Sequence, residues 1–123
     1  MRPDTLGVLE DIRDAARFIA DDTAGLTFEA FKGDRRTRQL VERNFEIIGE
    51  AVNRLRRREP SIAARISAHD EIIAFRYILI HGYDVIDSLR VWRTVQESLP
   101  VFRAEVEAVL REMEEVIGEG SSP

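Results

Sequence analysis

The chain has 123 residues, 44% of them hydrophobic and 33% charged, a balance that suits one soluble domain burying about two-thirds of the surface its unfolded form exposes. It has no cysteine, which excludes disulfides and thiolate metal sites, and its net charge of −5 argues against a general nucleic-acid binder, whose affinity comes mainly from neutralising phosphate. The opening MRPDTLGVLEDIRDAARF carries acids too early for a secretory signal and no apolar run reaches the length of a membrane span, so a cytoplasmic location is expected.

Leu6, Leu9, Ile12, Ala16 and Ile19 recur at helical spacing and predict a first helix that ends near Gly25. Thr27 suits the cap of a short turn, FEAFK, in which Phe28 and Phe31 would pack as a pair before Gly33 breaks it. Asp34 stands where the N-cap of a long second helix belongs. That helix is marked by Leu40, Phe45, Ile48, Val52 and Leu55, and Pro60 stops it. The segment SIAARIS reads as loose chain leading to His69 and Asp70, either of which begins a third helix. Ile72, Ile73, Phe75, Ile78 and Leu79 make that helix the central, most buried element. Gly82 fits the residue just past its end, where left-handed backbone favours glycine. After the turn GYDV, Ile86, Leu89, Trp92, Val95 and Leu99 define a fourth helix. Pro100 either kinks it or opens a fifth, which runs through Phe102, Val106, Val109, Leu110, Met113 and Val116. Trp92 and the phenylalanines fall at helical spacing and read as core. With no strand-like alternation, no repeat and no linker, the expectation is an all-α bundle of four or five helices in a single domain, residues 1–117, with a disordered tail, residues 118–123.

Charge is unevenly spread. Between Lys32 and Arg65 ten basic residues stand against five acidic ones, a local charge of +5 on a body that is otherwise acidic. A solvated helix face and a basic binding face both fit that pattern. Gly49 costs about 1 kcal/mol relative to alanine inside a helix, so close approach of another helix is expected there. Glu46 and Glu50, one turn apart, either pair with Arg43 and Arg54 on their own helix or reach toward Arg76. Arg54 and Arg56 to Arg58 either extend a basic path for RNA or meet an acidic protein partner.

Chemistry concentrates in AFRYILIHGYDVID, residues 74–87. Arg76 and His81 lie five residues apart, roughly 140° around a straight helix. They meet at one site only if the helix loosens at Gly82 or if the long arginine side chain reaches along it. A second copy packed across a twofold axis would bring another Arg76 and His81 to the same cleft. Helix three is apolar nearly all round from Ile72 to Ile80, which calls for burial on more than one side and favours such a dimer. Arginine supplies a permanent cation for a pentavalent phosphorane, and histidine takes or gives a proton near neutral pH, more readily as the cation at a helix C-terminus. Those are the parts of a metal-independent ribonuclease. Two other readings stay open on spacing alone: a histidine that caps its helix beside an arginine paired with Asp84 or Asp87, and a metal set of His81, Asp84 and Asp87 with His69.

RNFEIIGEAVNRL in helix two, FRYILIHGYDVID in helix three and VWRTVQESLP after it, in that order, resemble the HepT-type toxins of the HEPN superfamily, over nearly the whole chain. The resemblance implies a homodimeric, HEPN-like helical bundle that cuts RNA without metal or other cofactor, with Arg76 and His81 in a cleft at the dimer interface. It also implies a partner, an MntA-type minimal nucleotidyltransferase antitoxin that moves AMP from ATP onto the tyrosine of the R-x-x-x-x-H-x-Y signature, here Tyr83. Adenylates beside the cleft would repel RNA phosphate and block entry. One position departs from the family: the residue after the arginine is often asparagine there and is Tyr77 here, which either weakens cleavage, stacks a base or packs at the dimer seam. Asp84, Glu46 and Glu50 are candidate supporting groups. The rival expectation is a weakly active or inactive dimer that serves as the binding partner and substrate of the nucleotidyltransferase.

Overall fold

The computed structural model describes residues 3–66 and 88–120. Every element among them is helical. Helix α1 spans Pro3–Thr23 and buries Val8, Leu9, Ile12, Ala15, Ala16 and Ile19. It stops because Gly25 takes φ 75°, a left-handed turn that lets the Leu26 N–H reach the Thr23 carbonyl at 3.1 Å, while the Thr23 hydroxyl donates to the Ile19 carbonyl at 2.8 Å. The six-residue α2, Phe28–Gly33, is too short to persist on propensity alone. Two things hold it. The Thr27 side chain accepts from the Ala30 N–H at 3.1 Å, and Phe31 is fully buried with its ring centroid 5.2 Å from that of Trp92. Phe28 also meets Trp92, at 6.4 Å, so the expected pairing of the two phenylalanines is replaced by a shared clasp on the tryptophan.

Asp34 then caps α3, Arg35–Arg58, with one carboxylate oxygen accepting from the Thr37 N–H at 3.0 Å and the other from its hydroxyl at 2.8 Å. Those bonds, the backbone one first, hold the carboxyl below its ordinary range. Val41, Phe45, Ile48, Val52 and Leu55 form the buried stripe of α3, and Gly49 is buried beside it. The segment SIAARIS is not loose as far as Ile66: Pro60 opens a short helix α4, Pro60–Ala63, and Ala63 and Ile66 enter the core. A proline at the first position has the helical φ and loses an N–H that would lack a partner there anyway, which is why the residue that ends α3 also starts α4.

After residue 87 the chain is helical without a break as α5, Ser88–Arg93, a π turn, Thr94–Ser98, and α6, Leu99–Gly120. Pro100 is the second residue of α6 and causes no separation from α5. Its ring would collide with the carbonyl four residues back in an ordinary helix. The π turn just before it, in which the Leu99 N–H reaches the Thr94 carbonyl, widens the ladder where that collision would fall.

The scaffold is an antiparallel sandwich of long helices. α1 and α3 pack along their length, tied at one end by the Arg58–Asp4 ion pair and a Thr5 hydroxyl bond to Glu59 at 3.3 Å. α6 packs on α1, with Leu99 and Pro100 beside Ala20 and Thr23. An Arg65–Glu112 ion pair at 2.7 Å fastens the turn after α4 to α6. Among the described residues the core draws Phe45, Ile48 and Val52 from α3, Leu9, Ile12 and Ile19 from α1 and Phe102, Val106 and Leu110 from α6. Not every aromatic joins it. Phe18 is 55% exposed and Trp92 is half-buried against the core edge, because helical spacing marks a stripe wider than the partner helices cover.

Candidate functional site

The residues expected to carry chemistry, Arg76, Tyr77, His81, Tyr83 and Asp84, fall outside the described residues, as do Gly82 and the alternative metal set of His69, His81, Asp84 and Asp87. What the structure defines is the frame at either end of that stretch. Upstream, Ile66 is fully buried, and Arg65 is clamped to Glu112 on α6. Downstream, the chain returns at Ser88 into α5, where Val91 is buried and Trp92 is gripped by Phe28 and Phe31. The short α2 therefore matters beyond its length, since it fixes the helix that begins where the candidate stretch ends.

Helix α3 supplies the acidic and basic groups. Glu46, partly buried, lies 3.5 Å from the exposed Arg43, a pair within one helix that accounts for the glutamate without recourse to another element. Such a pair contributes little to stability, about 0.3–0.5 kcal/mol. Glu50 is exposed and shares an open hollow with Asp11, Ile47, Ala51 and Arg54, so it belongs to the α1 side of α3. Glu42 was not singled out from the sequence. It is half-buried, and that burial, with Glu46 one turn along adding like charge and Arg38 opposing, raises its carboxyl above the ordinary range. The i, i+4 repeat of acids in ERNFE was the only signal for it.

The basic run at the end of α3 has a local reason. Arg56, Arg57 and Arg58 occupy the last turn, where cations complement the negative end of the helix dipole, and Arg58 is spent on Asp4. Arg54 and Arg57 are exposed. Arg35 and Arg36, exposed at the opposite end of α3, gain nothing from the dipole there. The positive charge expected between Lys32 and Arg65 is thus distributed to the two ends of a helix roughly 36 Å long rather than gathered in one patch. No described helix is long and apolar enough to cross a membrane.

The family model for ribonuclease HepT-like proteins matches residues 9–109, which takes in most of α1 through the first half of α6 and the whole R-x-x-x-x-H-x-Y run. The chain belongs to the HepT-like ribonuclease family. Among its relatives, a Thermococcus cleftensis protein named "Probable ribonuclease HepT" is 37% identical over 103 residues, covering 80% of this chain and 89% of that protein. A Methanocaldococcus jannaschii protein named "Putative RNase MJ1380" is 33% identical over 110 residues, covering 86% and 96%. No solved structure gives a significant match to the chain. The all-α architecture is that of a HEPN-like bundle.

Proposed function

We propose that this HepT-like chain is an endoribonuclease that cleaves RNA without metal, and that Arg76 and His81 carry the reaction. The observation that supports it is the presence of the complete arginine, histidine and tyrosine signature, Arg76, His81 and Tyr83, within the family match. His81 takes the proton of an RNA 2′-hydroxyl. The 2′-oxygen attacks the neighbouring phosphorus, the bond from phosphorus to the 5′-oxygen breaks, and that oxygen leaves with a proton, giving a 2′,3′-cyclic phosphate and a 5′-hydroxyl. Arg76 neutralises the charge that accumulates on the phosphorane oxygens. In this reading the helical unit, residues 1–117, acts as a homodimer whose cleft combines Arg76 and His81 of both copies. Such a chain is the toxin of a toxin–antitoxin pair, and an MntA-type nucleotidyltransferase silences it by attaching AMP to Tyr83. Cytoplasmic RNA is then the substrate.

The test uses purified protein and single-stranded RNA in excess EDTA. Wild type is expected to yield fragments ending in 2′,3′-cyclic phosphate, and His81→Ala and Arg76→Ala none. Cleavage that survives His81→Ala unchanged, or that disappears with EDTA, overturns the mechanism. Tyr77, which stands where relatives of this type often carry asparagine, favours a second reading in which the dimer cleaves weakly and serves mainly as the nucleotidyltransferase's substrate. Tyr77→Asn raising the cleavage rate would support that reading.

A further inference from the structure

One long face of the described helices has exposed apolar groups and two charges, Asp11 and Arg54, that make no ion pair among the described residues. Asp11, Asp14, Ala15 and Phe18 on α1 and Asn44, Ile47, Ala51 and Arg54 on α3 line two adjoining hollows, of about 170 and 270 Å³, that form one open groove between the antiparallel helices. Residues 4, 11 and 18 and residues 40, 47 and 54 recur at seven-residue intervals, so each helix turns one continuous stripe toward this groove. Phe18, 55% exposed, and Leu40, 44% exposed, are two of the few large apolar side chains left open to water. Both lie at the same end of the groove, because α1 and α3 run in opposite directions with Asp4 beside Arg58 at the other end.

The two walls differ in charge. The α1 wall presents Asp11 and Asp14 to the hollows and no base, whereas the α3 wall presents Arg54 beside Glu50. Asp4 and Arg58 neutralise each other at one end, and Arg43 and Asp14 have partners within their own helices. Among the described residues Asp11 and Arg54, both exposed, make no ion pair.

We infer that this groove seats a second copy of the chain across a twofold axis parallel to α1 and α3. That axis keeps every residue at its own level along the groove while exchanging left for right. The acidic α1 wall of each copy then faces the α3 wall of the other, Asp11 meets Arg54 twice, and Phe18 meets Leu40 twice, in a four-helix antiparallel contact. An axis across the groove would instead set acid against acid. The described lining of this surface comes from α1 and α3, and the contact is proposed in addition to the one assigned to Arg76 and His81. It closes pairs of chains into a larger assembly.

The absence of native cysteine makes the test direct. Asp11→Cys and Arg54→Cys chains are purified separately, mixed and oxidised. The mixture is expected to give a disulfide-linked dimer in excess of either variant alone, and Phe18→Asp in both chains to abolish it. Light scattering should show the wild-type mass halved by Phe18→Asp with the helical circular dichroism unchanged. Asp11→Arg and Arg54→Asp should each lower the mass, and combining them in one chain should restore it. No excess of cross-link in the mixture, or a mass indifferent to Phe18→Asp, overturns the arrangement. RNA cleavage retained by Phe18→Asp separates failure of this contact from failure of the Arg76 and His81 mechanism.

Discussion

The contact between α2 and α5 is the place where a single truncation should reach furthest. Phe31 is fully buried and its ring stacks obliquely on Trp92 at 5.2 Å, so Phe31→Ala removes a large core side chain and leaves a cavity that a six-residue helix, pinned at both ends by caps, is poorly able to collapse. Such a change costs about 3–5 kcal/mol, of which about 0.5–1.5 belongs to the ring pair itself. A domain of this kind holds about 5–15 kcal/mol in all. With a urea slope of about 2 kcal/mol per M, the unfolding midpoint should fall by about 2 M. Trp92 is the sole tryptophan, so its fluorescence reads the clasp while far-ultraviolet circular dichroism reads the bundle. In native buffer Phe31→Ala should red-shift the emission while the helical signal persists. Phe31→Leu, which keeps most of the volume, should cost less than about 1.5 kcal/mol. Phe28→Ala, from a half-buried position at 6.4 Å, should cost less than Phe31→Ala. If Phe28→Ala and Phe31→Ala are equal, or if Phe31→Ala leaves the midpoint and the emission unmoved, α2 is not held by this clasp and the account of how the chain is anchored after residue 87 fails.

Thr27→Ala removes the cap of α2 and should cost about 1 kcal/mol, measured by the same urea titration. Asp34 and Glu112 both sit below their ordinary carboxyl range, Asp34 through its bonds to Thr37 and Glu112 through its bond to Arg65. Their stabilisation is therefore complete above the unfolded carboxyl range and is lost as pH falls through the folded values. Asp34→Ala should flatten the acid limb of thermal stability against pH while lowering the neutral plateau. Glu42 has the opposite sign, since burial favours its protonated form, so Glu42→Gln should raise the melting temperature at neutral pH and leave it unchanged in acid. Tyr83→Phe, incubated with an MntA-type nucleotidyltransferase, ATP and magnesium, should gain no AMP by mass spectrometry and should keep cleaving RNA. An adduct on another residue would remove Tyr83 from its assigned part.

Local chemistry made much of this protein legible in one dimension. Thr27 and Asp34 announce their helices because a short oxygen-bearing side chain can satisfy an N–H three residues on without help from the rest of the fold. Gly25 ends α1 for an equally local reason, and the three- and four-residue spacing of Phe45, Ile48, Val52 and Leu55 gives the buried stripe of α3. The signature from Arg76 to Tyr83, together with RNFEIIGEAVNRL and VWRTVQESLP, was enough to place the chain in its family, because the chemistry of such a site fixes residue types and order. Other features depended on what lies across the fold. Spacing alone made Phe18 and Leu40 core residues, yet α1 and α3 cover only part of each other, and both side chains stand open to water. It paired Phe28 with Phe31, whereas the tertiary arrangement brought both rings onto Trp92, on a helix some sixty residues later. Whether Pro100 breaks, kinks or is absorbed by a π turn is decided by the need to keep Val95, Leu99 and Phe102 on one buried face, and the half-burial that lifts the Glu42 carboxyl depends on neighbours that no window of sequence contains. Caps and turns are short-range bonds and can be read from the residues that make them. Burial is a property of the whole packed object, and it was settled only when the helices met.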